Sequence, residues 1–178
     1  KPAYIIVNSR NGSIHVGENF ISGHQRLSAN TNVYVYIEPQ EKPLSTGILE
    51  NGIIEASKDN AEGTNACAAW RFPEGTTTVS LRYGISFISE EQAEKNLRRE
   101  LKDYNIKQLA QTGREIWNEA LGRIKVEGGT EDDKIVLYSS FYRTFERPIC
   151  MSEDGRYFSA FDGKVHDDNG TPFYTDDW

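Results

Sequence analysis

The chain has 178 residues, with 20 Lys and Arg against 27 Asp and Glu, a formal net charge of -7 and 37% hydrophobic residues. The acidic balance, with no basic cluster longer than Arg98-Arg99, argues against a nucleic-acid or anionic-membrane partner, which needs a concentrated positive field. The apolar runs are far shorter than the ~20 residues that cross a bilayer, so no membrane span is predicted.

The part of the chain up to about Ile88 is typical of antiparallel β-structure. Short β-branched and aromatic runs alternate with turn-rich pieces, and the predicted strands cover residues 4–7, 14–21, 33–37, 52–56, 66–72 and 77–88. In the last of these runs Leu81, Tyr83 and Ile85 share one face, whereas Arg82 and Gly84 share the other. A β-sandwich with one solvated face fits this alternation.

The hydrophobic period changes at Ser89, where Ser89-Glu90-Glu91-Gln92 has the form of a capping box. A helix is expected to start there, with Ser89 accepting from the amide three residues on and Gln92 reaching back. Its apolar stripe comprises Ala93, Leu97 and Leu101. A second helix is predicted over residues 106–122, with Leu109, Ile116, Trp117, Ala120 and Leu121 on one side, and a short strand over residues 123–126.

A third helix is expected from Thr130 to about Arg147. Thr130 is a suitable cap, acidic residues follow it in the first turn, and Pro148 stops the helix. The predicted buried face comprises Ile135, Tyr138, Tyr142 and Phe145. Beyond Pro148 the sequence becomes short extended pieces, of which residues 156–161 form the best strand candidate.

Both ends of the sequence suggest a piece of a longer protein. The chain starts two residues before a β-rich run, without an initiating Met, and it stops on the large aromatic Trp178. Cys67 and Cys150 lie far apart and have no metal-ligand spacing, so they are predicted to be free, buried thiols rather than a disulfide.

The last thirty residues hold the densest set of chemically useful groups. Carboxylates can accept from sugar hydroxyls and aromatic faces can cover a sugar ring, although a polar loop with turn-forming Asp and Asn also explains this composition. Asp167-Asp168-Asn169-Gly170 lacks the ligand spacing of an EF-hand calcium loop, and a plain turn is predicted. His166 is predicted to be a hydrogen-bonded structural group rather than an acid or base.

From about Ala69 onward the sequence resembles the family 92 glycoside hydrolases, which are exo-acting alpha-mannosidases. The resemblance covers about 110 of the 178 residues. Its stretches are Ala69-Trp70-Arg71-Phe72, Gly84-Ile85-Ser86-Phe87-Ile88-Ser89, Gln92-Ala93, Asn96-Leu97, Trp117-Asn118-Glu119-Ala120-Leu121, Leu137-Tyr138, Tyr142-Arg143-Thr144, Phe161-Asp162-Gly163-Lys164-Val165-His166 and Phe173-Tyr174-Thr175-Asp176-Asp177-Trp178.

The resemblance implies a mixed fold, β then α: an antiparallel β-sandwich, linker helices and an (α/α)6 catalytic barrel. Residues 1–88 would be part of the sandwich domain, 89–129 the helical linker, and 130–178 the truncated start of the catalytic domain. It also implies a calcium ion and inversion at the anomeric carbon. The catalytic acid and base and the main calcium ligands are expected downstream of Trp178, so no residue here inherits a catalytic or metal-binding role.

The resemblance leaves Asp176, Asp177 and Trp178 as substrate-binding residues at the edge of the sugar pocket. The expected partners are a mannose-containing glycan and the remainder of the same chain, and the expected location is the periplasm, the cell surface or outside the cell. The segment alone is expected to be inactive. Two alternatives stay open from the residues alone: a stand-alone carbohydrate-binding β-sandwich with a helical appendage, and a structural domain without a ligand.

Overall fold

The computed structural model describes residues 1–176 of the chain. Nine strands come first, then three helices, then four short strands. Their bounds are β1 Pro2–Ser9, β2 Gly12–Val16, β3 Ile21–Arg26, β4 Asn32–Pro39, β5 Ser45–Glu50, β6 Ile53–Glu55, β7 Asn60–Gly63, β8 Ala66–Glu74, β9 Leu81–Ser86, α1 Glu90–Glu100, α2 Ile106–Leu121, α3 Glu131–Arg143, β10 Ile149–Cys150, β11 Arg156–Ser159, β12 Lys164–Asp167 and β13 Tyr174–Thr175.

The first nine strands form the predicted antiparallel sandwich. One sheet has the order β1-β8-β5-β6 and the other the order β7-β2-β3-β4-β9. Apolar side chains on the two inner faces share one core, in which Ile14, Ile21, Ile48, Trp70 and Phe72 are almost completely shielded from solvent. Burial of these alternating side chains is the main term that stabilises the two-sheet packing.

The predicted strand over residues 14–21 is wrong, because the chain turns within it. Gly17 donates its backbone N–H to the carbonyl of Phe20 at 2.9 Å, and this turn joins β2 to β3 with Val16 opposite Ile21. Strands β3, β5 and β7 were not predicted, since their polar or glycine-containing segments lack a strong strand pattern and are held by pairing with their neighbours.

In β9 the apolar side chains of the alternating pattern lie in solvent, and the opposite face of the strand is buried. Leu81, Tyr83 and Ile85 are 40%, 61% and 50% exposed, whereas Gly84 and Ser86 are buried. Helix α1 covers the Gly84 side, where Ala93 and Leu97 pack with Tyr36 of β4. The solvated face of this strand is therefore the apolar one, because a closely packed helix selects the face with the smaller side chains.

The helix starts agree with the sequence, and one cap differs in detail. Ser89 accepts from the Gln92 amide at 3.1 Å, as predicted, but the Gln92 side chain is buried elsewhere and does not reach back. Thr130 and Asp133 form a complete capping box at α3. Helix α3 ends at Arg143 rather than Arg147, and residues 123–126 form no strand.

The apolar faces predicted for the second and third helices are largely exposed. Ile116, Ile135 and Phe145 are 61%, 62% and 47% exposed, so within residues 1–176 the predicted buried face of α3 is wrong. Trp117 lies against Tyr142 with ring centroids 4.5 Å apart, which links the two helices. Cys67 is half-buried and Cys150 is exposed, and both are free, so the buried environment predicted for Cys150 is also wrong.

Candidate functional site

Two short antiparallel ribbons carry the acid- and aromatic-rich segment after Pro148. Strand β10 pairs with β13, and β11 pairs with β12. The turn between β11 and β12 contains Gly163, whose φ of 69° suits glycine, and the Asp162 carboxylate accepts from the Lys164 amide at 3.2 Å. The strand predicted over residues 156–161 is confirmed for residues 156–159.

Aromatic rings stack along one side of these ribbons. Tyr157 stacks on Phe173, with centroids 4.2 Å apart and planes 16° from parallel, and on His166 at 5.6 Å. His166 Nε2 lies 2.9 Å from a carboxylate oxygen of Asp162, and this hydrogen bond lowers the pKa of the Asp162 carboxyl. His166 is thus a hydrogen-bonded group within a small cluster, in keeping with its predicted structural role.

An apolar cavity separates the ribbons from the sandwich. Its volume is about 400 Å³, within the roughly 300–1,000 Å³ that small-molecule pockets occupy. Its lining comprises Thr31, Phe87, Met151, Phe158, Ser159, Ala160, Phe161, Phe173 and Thr175. Phe161 is 99% exposed, and Met151 is buried. Aromatic walls with a few hydroxyl groups could cover the C–H face of a sugar ring.

The acids nearest the sandwich are committed to hydrogen bonds. The Glu153 carboxylate accepts from the Phe87 amide at 2.9 Å and from Asn96 Nδ2 at 2.7 Å. The Asp154 carboxylate accepts from Gln92 Nε2 at 2.7 Å and pairs with Arg99. These carboxylates hold the loop against α1, so their geometry is that of structural groups rather than of a general acid or base.

Sequence reasoning missed Gln92 and Asn96 as members of this network. Both side chains are buried, with exposures of 1% and 8%. The signal that could have found them is the placement of two amides one helical turn apart, each beside a residue of the Ala93–Leu97 apolar stripe. Amides at the edge of a buried stripe need polar partners from another element.

The segment Asp167-Asp168-Asn169-Gly170 forms the predicted turn. Asp168 accepts from the Gly170 amide at 2.9 Å, and both Asn169 and Gly170 have positive φ. Within residues 1–176 no group of three or more His, Cys, Asp or Glu side chains could hold a metal ion. Over the same residues, no helix is both long and apolar enough to traverse a bilayer.

Of the three candidate substrate-binding residues, only Asp176 lies in the described part of the chain. Asp176 is exposed directly after β13, and its backbone carbonyl accepts from the Arg147 guanidinium. Asp177 and Trp178 lie outside the described residues. The structure therefore places the first of these residues at the end of the β10–β13 ribbon.

Comparison with known proteins links this architecture to one enzyme family. The sequence pattern of the Glycosyl hydrolase family 92 catalytic domain matches residues 92–178. Over 99% of the chain, the fold superimposes on a family GH92 inverting mannosidase from Bacteroides thetaiotaomicron with a TM-score of 0.80 and 29% identity. The chain is thus similar to glycosyl hydrolase family 92, in sequence over residues 92–178 and in fold over nearly all of its length.

Two further proteins are similar to this chain. A family GH92 alpha-mannosidase of B. thetaiotaomicron has the same fold over 98% of the chain, with a TM-score of 0.82 at 18% identity. An uncharacterized secreted glycosidase of Arthroderma benhamiae is 32% identical over 99 residues, which is 49% of this chain. The chain spans 13% of that glycosidase and 26% of each Bacteroides protein.

Proposed function

We propose that this chain is part of a glycoside hydrolase that removes terminal alpha-linked mannose from glycans. The observation that carries the proposal is the 29% identity to a family GH92 inverting mannosidase across 99% of the chain. The match of residues 92–178 to the family's catalytic domain supports it. So does the aromatic and acidic character of the ribbons after Pro148.

The chemistry belongs, in this proposal, to residues beyond those of this chain. Inversion requires an acid that protonates the leaving oxygen and a base that activates water, roughly 6.5–9.5 Å apart. The acids Glu153 and Asp154 are held by hydrogen bonds from α1 and from the Phe87 amide just after β9, and Asp162 is held by His166. The segment then supplies the sandwich, the linker and the start of the helical domain, and alone it is inactive.

The substrate contact of the segment is assigned to its C-terminal edge. Asp176, together with Asp177 and Trp178, would border the sugar pocket, since Asp176 is exposed at the end of β13. In this proposal the mannose-containing glycan binds at this edge. Secretion to the periplasm, cell surface or medium is also part of the proposal, and the naming of the Arthroderma relative as a secreted glycosidase supports it.

A calcium ion remains an expectation of the family resemblance. The described residues do not fit one, because none of their His, Cys, Asp or Glu side chains come together in a group of three or more. Calcium prefers six to eight oxygen ligands, so its ligands would have to come from other residues.

A segment exchange tests the proposed function. The matching segment of the Bacteroides inverting mannosidase is replaced by this chain, and hydrolysis of an aryl alpha-mannoside is followed by proton NMR. We expect turnover with beta-mannose as the first product, because this chain would complete the same catalytic architecture. A host without any segment in this position is the inactive control.

Four outcomes would count against the proposal. A folded chimera without mannoside hydrolysis contradicts the assigned activity, and alpha-mannose as the first product contradicts inversion. Saturable binding of the mannoside by the chimera without turnover would favour the carbohydrate-binding alternative. Hydrolysis by the 178-residue chain alone, at the rate of the chimera, would contradict the division of chemistry between segments.

A further inference from the structure

The feature that carries a further inference is the buried amide pair of α1. Gln92 and Asn96 are one helical turn apart and almost fully shielded from solvent. A buried amide is costly unless its donors and acceptor are paired. Here they are: Gln92 Nε2 donates to Asn96 Oδ1 at 3.1 Å and to Asp154 at 2.7 Å, and Gln92 Oε1 accepts from Arg156 at 2.9 Å.

Asn96 extends the same network in the other direction. Its Nδ2 donates to the carbonyl of Ile85 in β9 at 2.9 Å and to Glu153 at 2.7 Å. Helix α1 is itself fixed on the sandwich by Ala93 and Leu97, which are completely buried against β4 and β9. The two amides therefore join a rigid helix to the loop over residues 151–155.

That loop is tied in turn to the strand that precedes the candidate substrate edge. Met151 donates its amide to the carbonyl of Phe173 at 2.8 Å, and the Phe173 amide donates to Ser152 Oγ at 2.9 Å. Ile149 then pairs with Thr175, one residue before Asp176. Gln92 is thus linked to the end of β13 by its hydrogen bond to Asp154, by the short backbone from Asp154 to Met151, and by the hydrogen bonds between this loop and Phe173.

We propose that Gln92 is a positioning residue that fixes the β10–β13 ribbon, and with it the sugar-facing edge at Asp176, relative to the sandwich. The Gln92 amide donates to the Asp154 carboxylate and accepts from the Arg156 guanidinium at once, which a carboxylate of the same shape cannot do. The substrate side of this role rests on the proposed function. The mechanical side, which is how firmly the β10–β13 ribbon is held on the sandwich, does not depend on the proposed function.

Amide hydrogen exchange of the chain tests the mechanical side. Gln92→Glu keeps the shape of the side chain but places a carboxylate beside Asp154 and removes a donor. We expect the Met151 and Phe173 amides to exchange about tenfold faster, as for a lost buried hydrogen bond, while amides of β3 and β8 keep their rates. Gln108→Glu on the exposed surface of α2 is the matched control and should change nothing.

Rescue separates positioning from general loss of stability. In the double variant Gln92→Glu with Asp154→Asn, the new amide can donate to the new carboxylate, and exchange at Met151 and Phe173 should return to near the parent rate. If Gln92→Glu does not fold, Asp154→Ala removes the same contact from a half-exposed side chain. Parent-like exchange at both amides in a folded variant would overturn the proposal, and so would failure of the double variant to recover.

The substrate side is measured in the segment-exchange enzyme. There, Gln92→Glu should raise KM for the mannoside several-fold with a smaller effect on kcat, because the displaced edge contacts sugar rather than the reacting atoms. Unchanged kinetics in an active enzyme with a loosened ribbon would overturn the positioning role. An inactive parent chimera would instead count against the proposed function, while the exchange result would stand.

Discussion

Glu38 is a buried carboxylate that pairs with two arginines. Its carboxylate is buried in β4 and accepts from Arg82 Nη2 at 3.0 Å and from Arg98 Nη1 at 2.7 Å. Arg82 also lies 5.0 Å from the ring centroid of Tyr104. A single carboxylate thereby connects β4, β9, α1 and the loop before α2.

The pH dependence of stability should report on Glu38. Burial raises the pKa of its carboxyl, but hydrogen bonds and charge from Arg98 and Arg82 lower it by more, so the folded pKa lies below the ordinary value. An unfolded glutamate has a pKa of about 4.3, so the stabilisation is complete above that pH and is lost as the pH falls through the folded pKa.

We therefore expect Glu38→Gln to lower the free energy of unfolding by about 1–3 kcal/mol at neutral pH, because two arginines lose a charged partner. The difference from the parent should narrow as the pH falls below about 4, measured by urea unfolding with circular dichroism. A stability difference that stays constant from neutral pH to pH 3 would contradict the stabilising role of the Glu38 carboxylate. Glu62→Gln on the exposed edge strand β7 is the control.

The sequence pattern gave no indication that Glu38 would be paired with two arginines. Arg82 is 44 residues away and Arg98 is 60 residues away, so no local pattern connects them. Asp162 and His166 are different, because they are four residues apart and lie in one short motif, Phe161-Asp162-Gly163-Lys164-Val165-His166. The Asp162–His166 pair therefore lies within one local motif, whereas the pairs of Glu38 with Arg82 and Arg98 form only in the folded chain.

At the level of elements, the contact between β9 and α1 determines how the sandwich joins the helices. A Cβ atom added at Gly84 would lie 2.1 Å from the carbonyl oxygen of Ala93 and 2.8 Å from the Leu97 nitrogen. Both atoms belong to the helix backbone, which cannot move without breaking its packing on Tyr36. Glycine at this position is thus required by the approach of the helix rather than by its own backbone angles.

Gly84→Ala should consequently lower the free energy of unfolding by about 1–3 kcal/mol, as overpacking does in a tight contact. Gly113→Ala is the matched control: it lies inside α2 with nothing within 4 Å of the added atom, so it should raise stability by up to about 1 kcal/mol. Urea midpoints measure both changes. Equal effects of the two substitutions would contradict the close packing of α1 on β9.

At the scale of the whole molecule, α2 and α3 present an apolar and aromatic surface to solvent. Ile116, Trp117 and Ile135 are 61%, 36% and 62% exposed, and Phe145 packs edge-on against Trp117 at 5.6 Å. Contiguous surfaces of this kind mark interaction sites.

The chain should bind a hydrophobic dye at this surface. We expect the parent chain to enhance the fluorescence of anilinonaphthalene sulfonate at neutral pH. The double variant Trp117→Ser with Ile135→Ser should reduce this fluorescence at least about twofold, because the two substitutions remove the centre of the apolar surface. Leu44→Ser is the control, since Leu44 is 61% exposed but lies in the sandwich. Equal fluorescence of all three proteins would show that the dye binds elsewhere.

The sequence by itself predicted the order of the molecule: an antiparallel sandwich, helices that begin at Ser89 and Thr130, and a family 92 segment rich in acids and aromatics. These features depend on local patterns, such as capping residues and alternating apolar side chains, which act over a few neighbours. Tertiary structure alone decided which face of β9 is covered, which carboxylates are paired, and how Gln92 reaches Asp154 and Arg156. Those outcomes depend on contacts between residues far apart in the chain, and desolvation at such contacts sets their energies.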